Sequence, residues 1–188
     1  MRALHWATVW LIVGSFESTP AQASPNPLAS QTQRDMLLPP VQPWFPQAPA
    51  LPAPQGEVIR AGNVEELFTA VARVKPGGTV LLTNGHYWLP RCLRLRTDRI
   101  TLRGESGDRT RVILDGARCQ DGELVALHAC TGVTLADLTV QNVRHNGIKI
   151  NSDSNVQRVI LHNCVLHNIW QRAVKGVKVP LDQLATLC

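Results

Sequence analysis

A constant offset of 26 residues constrains this chain more than any other feature: Val133-Thr134-Leu135-Ala136-Asp137-Leu138-Thr139-Val140-Gln141-Asn142 lies over Val159-Ile160-Leu161-His162-Asn163-Cys164-Val165-Leu166-His167-Asn168. The offset continues without a gap, placing Gly147 over Ala173 and Ile148-Lys149 over Val174-Lys175. An earlier copy, Arg99-Ile100-Thr101-Leu102-Arg103-Gly104, fits the first part of the pattern, but its spacing to the next copy is 33, an insertion of seven residues. Within each copy apolar residues alternate over three to five positions, a polar residue turns the chain, and alternation resumes. That is the signature of short strands with one face inward. One such turn cannot bury its inward face alone, so successive turns must stack into parallel sheets, each strand pairing with its equivalent one coil later. Asn142 over Asn168 then predicts an amide ladder at a tight bend.

Ahead of the repeat, Asn63-Val64-Glu65-Glu66 has the form of a capping box. Val64, Leu67, Phe68, Val71 and Val74 follow on one helical face, and Lys75-Pro76-Gly77-Gly78 ends the helix before a strand at Thr79-Val80-Leu81-Leu82. This amphipathic helix is expected to cover the open N-terminal end of the stack. The fold class is therefore all-β, a parallel solenoid with a short N-terminal capping α-helix. An antiparallel β-sandwich also has many short strands, but a strict 26-residue register argues against it.

The first 56 residues are of another kind. Met1-Arg2, the apolar stretch Ala7 to Phe16 and Ala21-Gln22-Ala23 read as a signal peptide, 1–23, cut after Ala23. The apolar core is too short for a membrane span, so no transmembrane segment is expected in the mature protein and its address is secreted or periplasmic. Residues 24–56 form a Pro-rich linker holding nine of the thirteen prolines. Residues 57–188 are one domain. Net charge of +5 and pI near 9.3 favour an acidic partner, in an exported protein an anionic polysaccharide rather than nucleic acid. Five cysteines permit up to two disulfides in an oxidising compartment.

The chain resembles the pectate-lyase-like, right-handed parallel β-helix superfamily over about Val58 to Gly176. The resemblance rests on the cap helix with Lys75-Pro76-Gly77-Gly78-Thr79-Val80, the turn Asn84-Gly85-His86-Tyr87, the strand end Thr101-Leu102-Arg103-Gly104, and the Asn142 and Asn168 turns. Such domains usually run to more coils than the four or so fitted here before Val177. The tail, with Pro180 and Leu181, Leu184 and Leu187 three apart, reads either as a closing helix or as the mark of a truncated reading frame.

The resemblance implies a carbohydrate groove on an outer face and, in many members, β-elimination of uronic-acid polymers. That reaction needs a cation beside the uronate carboxylate and a base for the adjacent proton. In such families the base is often Arg or Lys, and the cation Ca2+ or a basic side chain. Here the register stacks Lys149 and Lys175 in one outward row and Arg172 with Asn146 in another beside His145. Lys149, Lys175, Arg172 and His145 are the catalytic candidates; two stacked ammonium groups depress each other's pKa. The bland alternative is a solvated basic row. Trp170, Tyr87 and Asn146 are the substrate-binding candidates, the aromatics as stacking platforms or as plugs for coil ends.

No cofactor is expected. His162, Cys164 and His167 do not converge on a metal, and Asp115, Asp121, Asp137 and Asp153 share no row that would cage Ca2+. The expected function is lyase-type action on acidic polysaccharide by a monomer. The alternative is a non-catalytic β-helix that binds an anionic glycan or envelope partner. A polygalacturonase-like hydrolase ranks third, because no outward carboxylate cluster is in register.

Overall fold

The computed structural model describes residues 49–177. The expected signal peptide, most of the expected linker, the tail from 178 and Cys188 lie outside the described residues. Among the described residues eleven strands wind as a right-handed parallel β-helix with three flanks. The first flank stacks β1 (Val58–Ala61), β2 (Thr79–Leu82), β5 (Thr101–Gly104), and the first halves of β8 (Thr134–Val143) and β10 (Ile160–Ile169). The second stacks β3 (Gly85–Trp88), β6 (Val112–Asp115) and the second halves of β8 and β10. The third runs β4 (Leu93–Leu95), β7 (Glu123–Leu127), β9 (Asn146–Ile150) and β11 (Arg172–Gly176). All pairs are parallel, and the expected offset is observed: Thr134 pairs with Ile160, and Lys149 with Lys175.

Left-handed residues make the corners. Asp137 (φ 55°) and Asn163 (φ 47°) bend β8 and β10 between the first and second flanks, while Asn142 (φ 56°) and Asn168 (φ 50°) turn the chain towards the third. Asn and Asp tolerate this conformation because their short polar side chains bond locally. A third column, not evident from the repeat, comprises Gly56, Gly77, Arg99, Gly132 and Arg158. Each has positive φ and stands two residues before a first-flank strand. The insertion is located by register: Thr101 pairs with Thr134 but Ile113 with Thr139, so the seven extra residues are the loop 105–111.

Inward residues of the inner coils, among them Leu82, Leu95, Leu102, Leu114 and Leu127, have no exposed surface. Helix α1 (Val64–Arg73) buries Leu67, Ala70 and Val71 against the N-terminal end of this core. Its cap is as expected at Asn63, whose Oδ1 accepts from Glu66 N at 2.9 Å; in return Glu66 Oε2 accepts from Gly62 N at 2.7 Å. The last described stretch of the linker is docked, since Arg103 Nη1 donates to the Pro52 carbonyl at 3.0 Å while Nη2 pairs with Asp137 Oδ2 at 3.1 Å. Cys92, Cys119, Cys130 and Cys164 are free thiols, so no disulfide joins them. Burial pushes Cys92 up to about 12 and Cys130 and Cys164 up to about 11, which suits packing groups and not nucleophiles.

Candidate functional site on the third flank

Strands β4, β7, β9 and β11 place Arg94, Ala126, Lys149 and Lys175 in one row. The predicted lysine stack is thus present, interrupted from Arg94 by an alanine. Glu123, a residue the repeat does not single out, sits at the site: its Oε1 lies 3.2 Å from Lys149 Nζ and 3.5 Å from Asn146 Nδ2. Lys149 is therefore ion-paired with a carboxylate of its own flank. Lys175, one coil on, is half-buried.

Asn146 and Arg172 face each other across β9 and β11, as expected. Asn146 is buried, at 3% exposure, and its Oδ1 lacks a hydrogen-bond partner. It forms part of the floor, whereas Arg172 is exposed. His145 is half-buried at the corner, where its carbonyl accepts from Gln171 N and Arg172 N at 3.0 and 3.2 Å. Its ring packs so closely on Gly122 that a Cβ there would meet Nδ1 at 2.5 Å, so glycine at 122 is what allows the imidazole its position. Trp170 projects next to it with 82% exposure.

Tyr87 corrects the sequence expectation. It is 1% exposed, on the second flank, and its hydroxyl donates to Ala61 O and Thr83 O at 3.0 and 2.8 Å. With both ring faces inside the core it offers no stacking surface to a sugar. The remaining six candidates, Lys149, Lys175, Arg172, His145, Trp170 and Asn146, occur together on β9, β11 and the corner that feeds them.

Beside that corner runs an open groove of about 840 Å3, lined by Gly116, Asn142, Arg144, Asn168 and Trp170 among others. The amide ladder forms its spine: Asn168 Nδ2 donates to Asn142 Oδ1 at 2.5 Å, and Asn142 Nδ2 donates to Asp115 Oδ2 at 2.8 Å. Among the described residues no trio of His, Cys, Asp or Glu is placed to hold a metal ion. The acidic side chains that would cage Ca2+ are otherwise engaged, Asp121 by the Cys92 N–H at 2.7 Å and Asp137 by Arg103 and by Asn163 Nδ2 at 2.9 Å. Engaged in this way, these carboxylates do not form a cage for that cation. Among the described residues no helix is long and apolar enough to cross a membrane.

No protein-family model matches the chain, and no curated protein does. Solved structures do. An alginate lyase of family PL6, AlyGC, superimposes with a TM-score of 0.52 at 18% identity, over 71% of this chain and 19% of the enzyme. A mutant of the same enzyme gives 0.51 at 18% identity, over 77% and 21%. Escherichia coli YbhC gives 0.51 at 13% identity, over 93% and 62%. The chain thus spans about a fifth of the alginate lyase it matches, and identities this low speak to architecture. The parallel pairing, the three flanks and these superpositions together make the fold a right-handed parallel β-helix.

Proposed function

We propose that this is an exported β-helix protein that acts on acidic polysaccharide, cleaving a uronate polymer by β-elimination on the third flank. The observation that carries the reading is the basic row on adjacent coils, half-buried Lys149 over half-buried Lys175, with exposed Arg172 and half-buried His145 beside them and Trp170 at the rim. A β-helix of similar architecture is an alginate lyase, which supports a uronate substrate. In the proposed reaction Lys149, held by Glu123, meets the uronate carboxylate and stabilises negative charge developing on it. A basic group among Lys175, Arg172 and His145 removes the proton on the adjacent carbon. The electron pair left behind forms a carbon–carbon double bond as the glycosidic C–O bond breaks, and the departing oxygen takes up a proton. Trp170 gives a flat face for pyranose C–H groups, and Asn146 fixes the floor beneath them.

The test is incubation of the mature protein with a panel of uronate polymers, following the ultraviolet absorbance of unsaturated ends. Lys175→Ala and Lys149→Ala are each expected to lower the rate by about 10²–10⁴-fold. A flat trace from folded wild-type protein that still retains the polymers removes the lyase reading. It would favour the second one, a glycan-binding β-helix, which the ion pairing of Lys149 already suits. Export is checked by sequencing the mature N-terminus from a culture, where a start at Ser24 is expected.

A further inference from the structure

The second flank carries a separate cluster. Asp115 is 2% exposed, and its carboxylate collects four donors: Gln141 Nε2 at 2.7 Å, with His86 Nε2, Asn142 Nδ2 and Ala117 N each at 2.8 Å. Burial raises its pKa, but the bonds from Gln141, Ala117, His86 and Asn142 outweigh burial and hold it below the ordinary carboxylate range. An ionised carboxylate only accepts, so His86 Nε2 carries a proton and, in the neutral ring, Nδ1 is left as an acceptor. Gln141 donates through Nε2, so its Oε1 accepts from His167 Nε2 at 2.8 Å. Hydrogen bonds from successive coils therefore converge on the Asp115 carboxylate, which in turn fixes one imidazole.

That imidazole holds an exposed indole. The His86 and Trp88 rings stack 4.0 Å apart at 11°, and Trp88 keeps 42% exposure. Arg118, exposed in the turn after β6, places Cζ 5.1 Å from the Trp88 ring centroid. Trp88 belongs to the outward row with Asp115, Gln141 and His167, so core packing does not account for its position. A rigid aromatic with a neighbouring guanidinium and a free imidazole nitrogen matches a sugar carrying a carboxylate. With His86 stacked on one face of the indole and Arg118 over the ring, the exposed indole edge meets C–H groups, Arg118 meets the carboxylate, and His86 Nδ1 accepts from a hydroxyl.

We propose that Trp88, His86 and Arg118 form a second binding site for an acidic saccharide unit, on a different flank from the basic lysine face. It rests on the acidic-polysaccharide reading and is independent of catalysis. A polymer long enough to pass round the corner engages both flanks, whereas a short oligomer uses only the third.

The experiment measures retention of the full mature chain in gels containing alginate or polygalacturonate, with a neutral glucan as control. The same samples are assayed for unsaturated product from short uronate oligomers. Trp88→Ala and Arg118→Gln are expected to weaken polymer binding about tenfold while Trp88→Phe keeps most of it, since a tenfold change is the size of one aromatic or cation contact. Product formation from oligomers is expected to stay as in wild type. Because Arg118 is exposed, its variant remains informative even where Trp88→Ala perturbs folding. Unchanged polymer binding in both variants, or wild-type retention no greater on uronates than on the glucan, overturns the proposal. Trp88-dependent binding without any product would sustain this site and remove the lyase reading; product with Trp88-independent binding would do the reverse.

Discussion

The coil made by β8 and β9 and the coil made by β10 and β11 share length, alternation and bends, yet only the first is a core. Leu135, Leu138, Val140 and Ile148 are at most 1% exposed. Their register partners Leu161, Cys164 and Leu166 are only half-buried, and Val174 is 37% exposed. The inner coil has a neighbour on each side; the last described coil has one. Burial in a solenoid is therefore a property of the stack and not of the repeat, because each coil supplies only half of the surface that covers it. At the other end helix α1 substitutes for a missing neighbour, and Ala61 and Val80 beneath it are fully buried.

Truncating the same row in the two coils tests this most strongly. Leu135→Ala is expected to cost about 2–5 kcal/mol in urea unfolding, and Leu161→Ala about 1 kcal/mol or less, since little of the removed surface was shielded from water. Equal losses would mean that the last described coil is as well packed as the inner one. Glycines give a second, smaller contrast. A Cβ on Gly104 would run into the Asp137 carbonyl of the next coil, whereas one on Gly176 meets nothing within 4 Å. Gly104→Ala is expected to destabilise by about 1–3 kcal/mol through overpacking, and Gly176→Ala by no more than about 0.5 kcal/mol.

The repeat made the stacking direction, the lysine pairing and the Asn142–Asn168 ladder legible because these lie in the stretch where the offset never changes. Elsewhere the signal was masked for identifiable reasons. Asn84-Gly85-His86-Tyr87 reads as a turn, but Gly85 to Trp88 is strand β3. The alternation of a strand sends Tyr87 inward and leaves His86 and Trp88 outward. Glu123 was hidden because the segment between β6 and β7 breaks the period: Glu123 pairs with Asn146, not with a residue 26 positions on. The left-handed column was hidden by chemistry, since it mixes glycine with arginine and only backbone φ relates them. Asp115 shares no row with another acid. Its partners are amides and a histidine, and a search for carboxylate clusters passes over it.

The ladder offers a third contrast, again between an inner and an outer coil. Asn142→Gly keeps the left-handed bend but removes a donor from the buried Asp115 carboxylate, and is expected to cost about 1–2 kcal/mol. Asn168→Gly removes only an exposed amide–amide bond, for about 0.5 kcal/mol. Comparable losses in thermal melts would show that the buried carboxylate is not what the ladder serves.

The smallest effect concerns the protonation of Asp115 itself. Its pKa in the folded chain lies below the ordinary 3.8. The unfolded chain therefore binds its proton first on acidification, and the Asp115 contribution to stability is complete above that value and lost as pH falls through the lower folded one. Melting temperatures of wild type and Asp115→Asn should differ by a constant amount from neutrality down to about pH 4 and converge below it. Convergence that began near neutral pH would show that the Asp115 carboxylate is not what sets the pH dependence, and that the Trp88 platform does not rest on its ionisation.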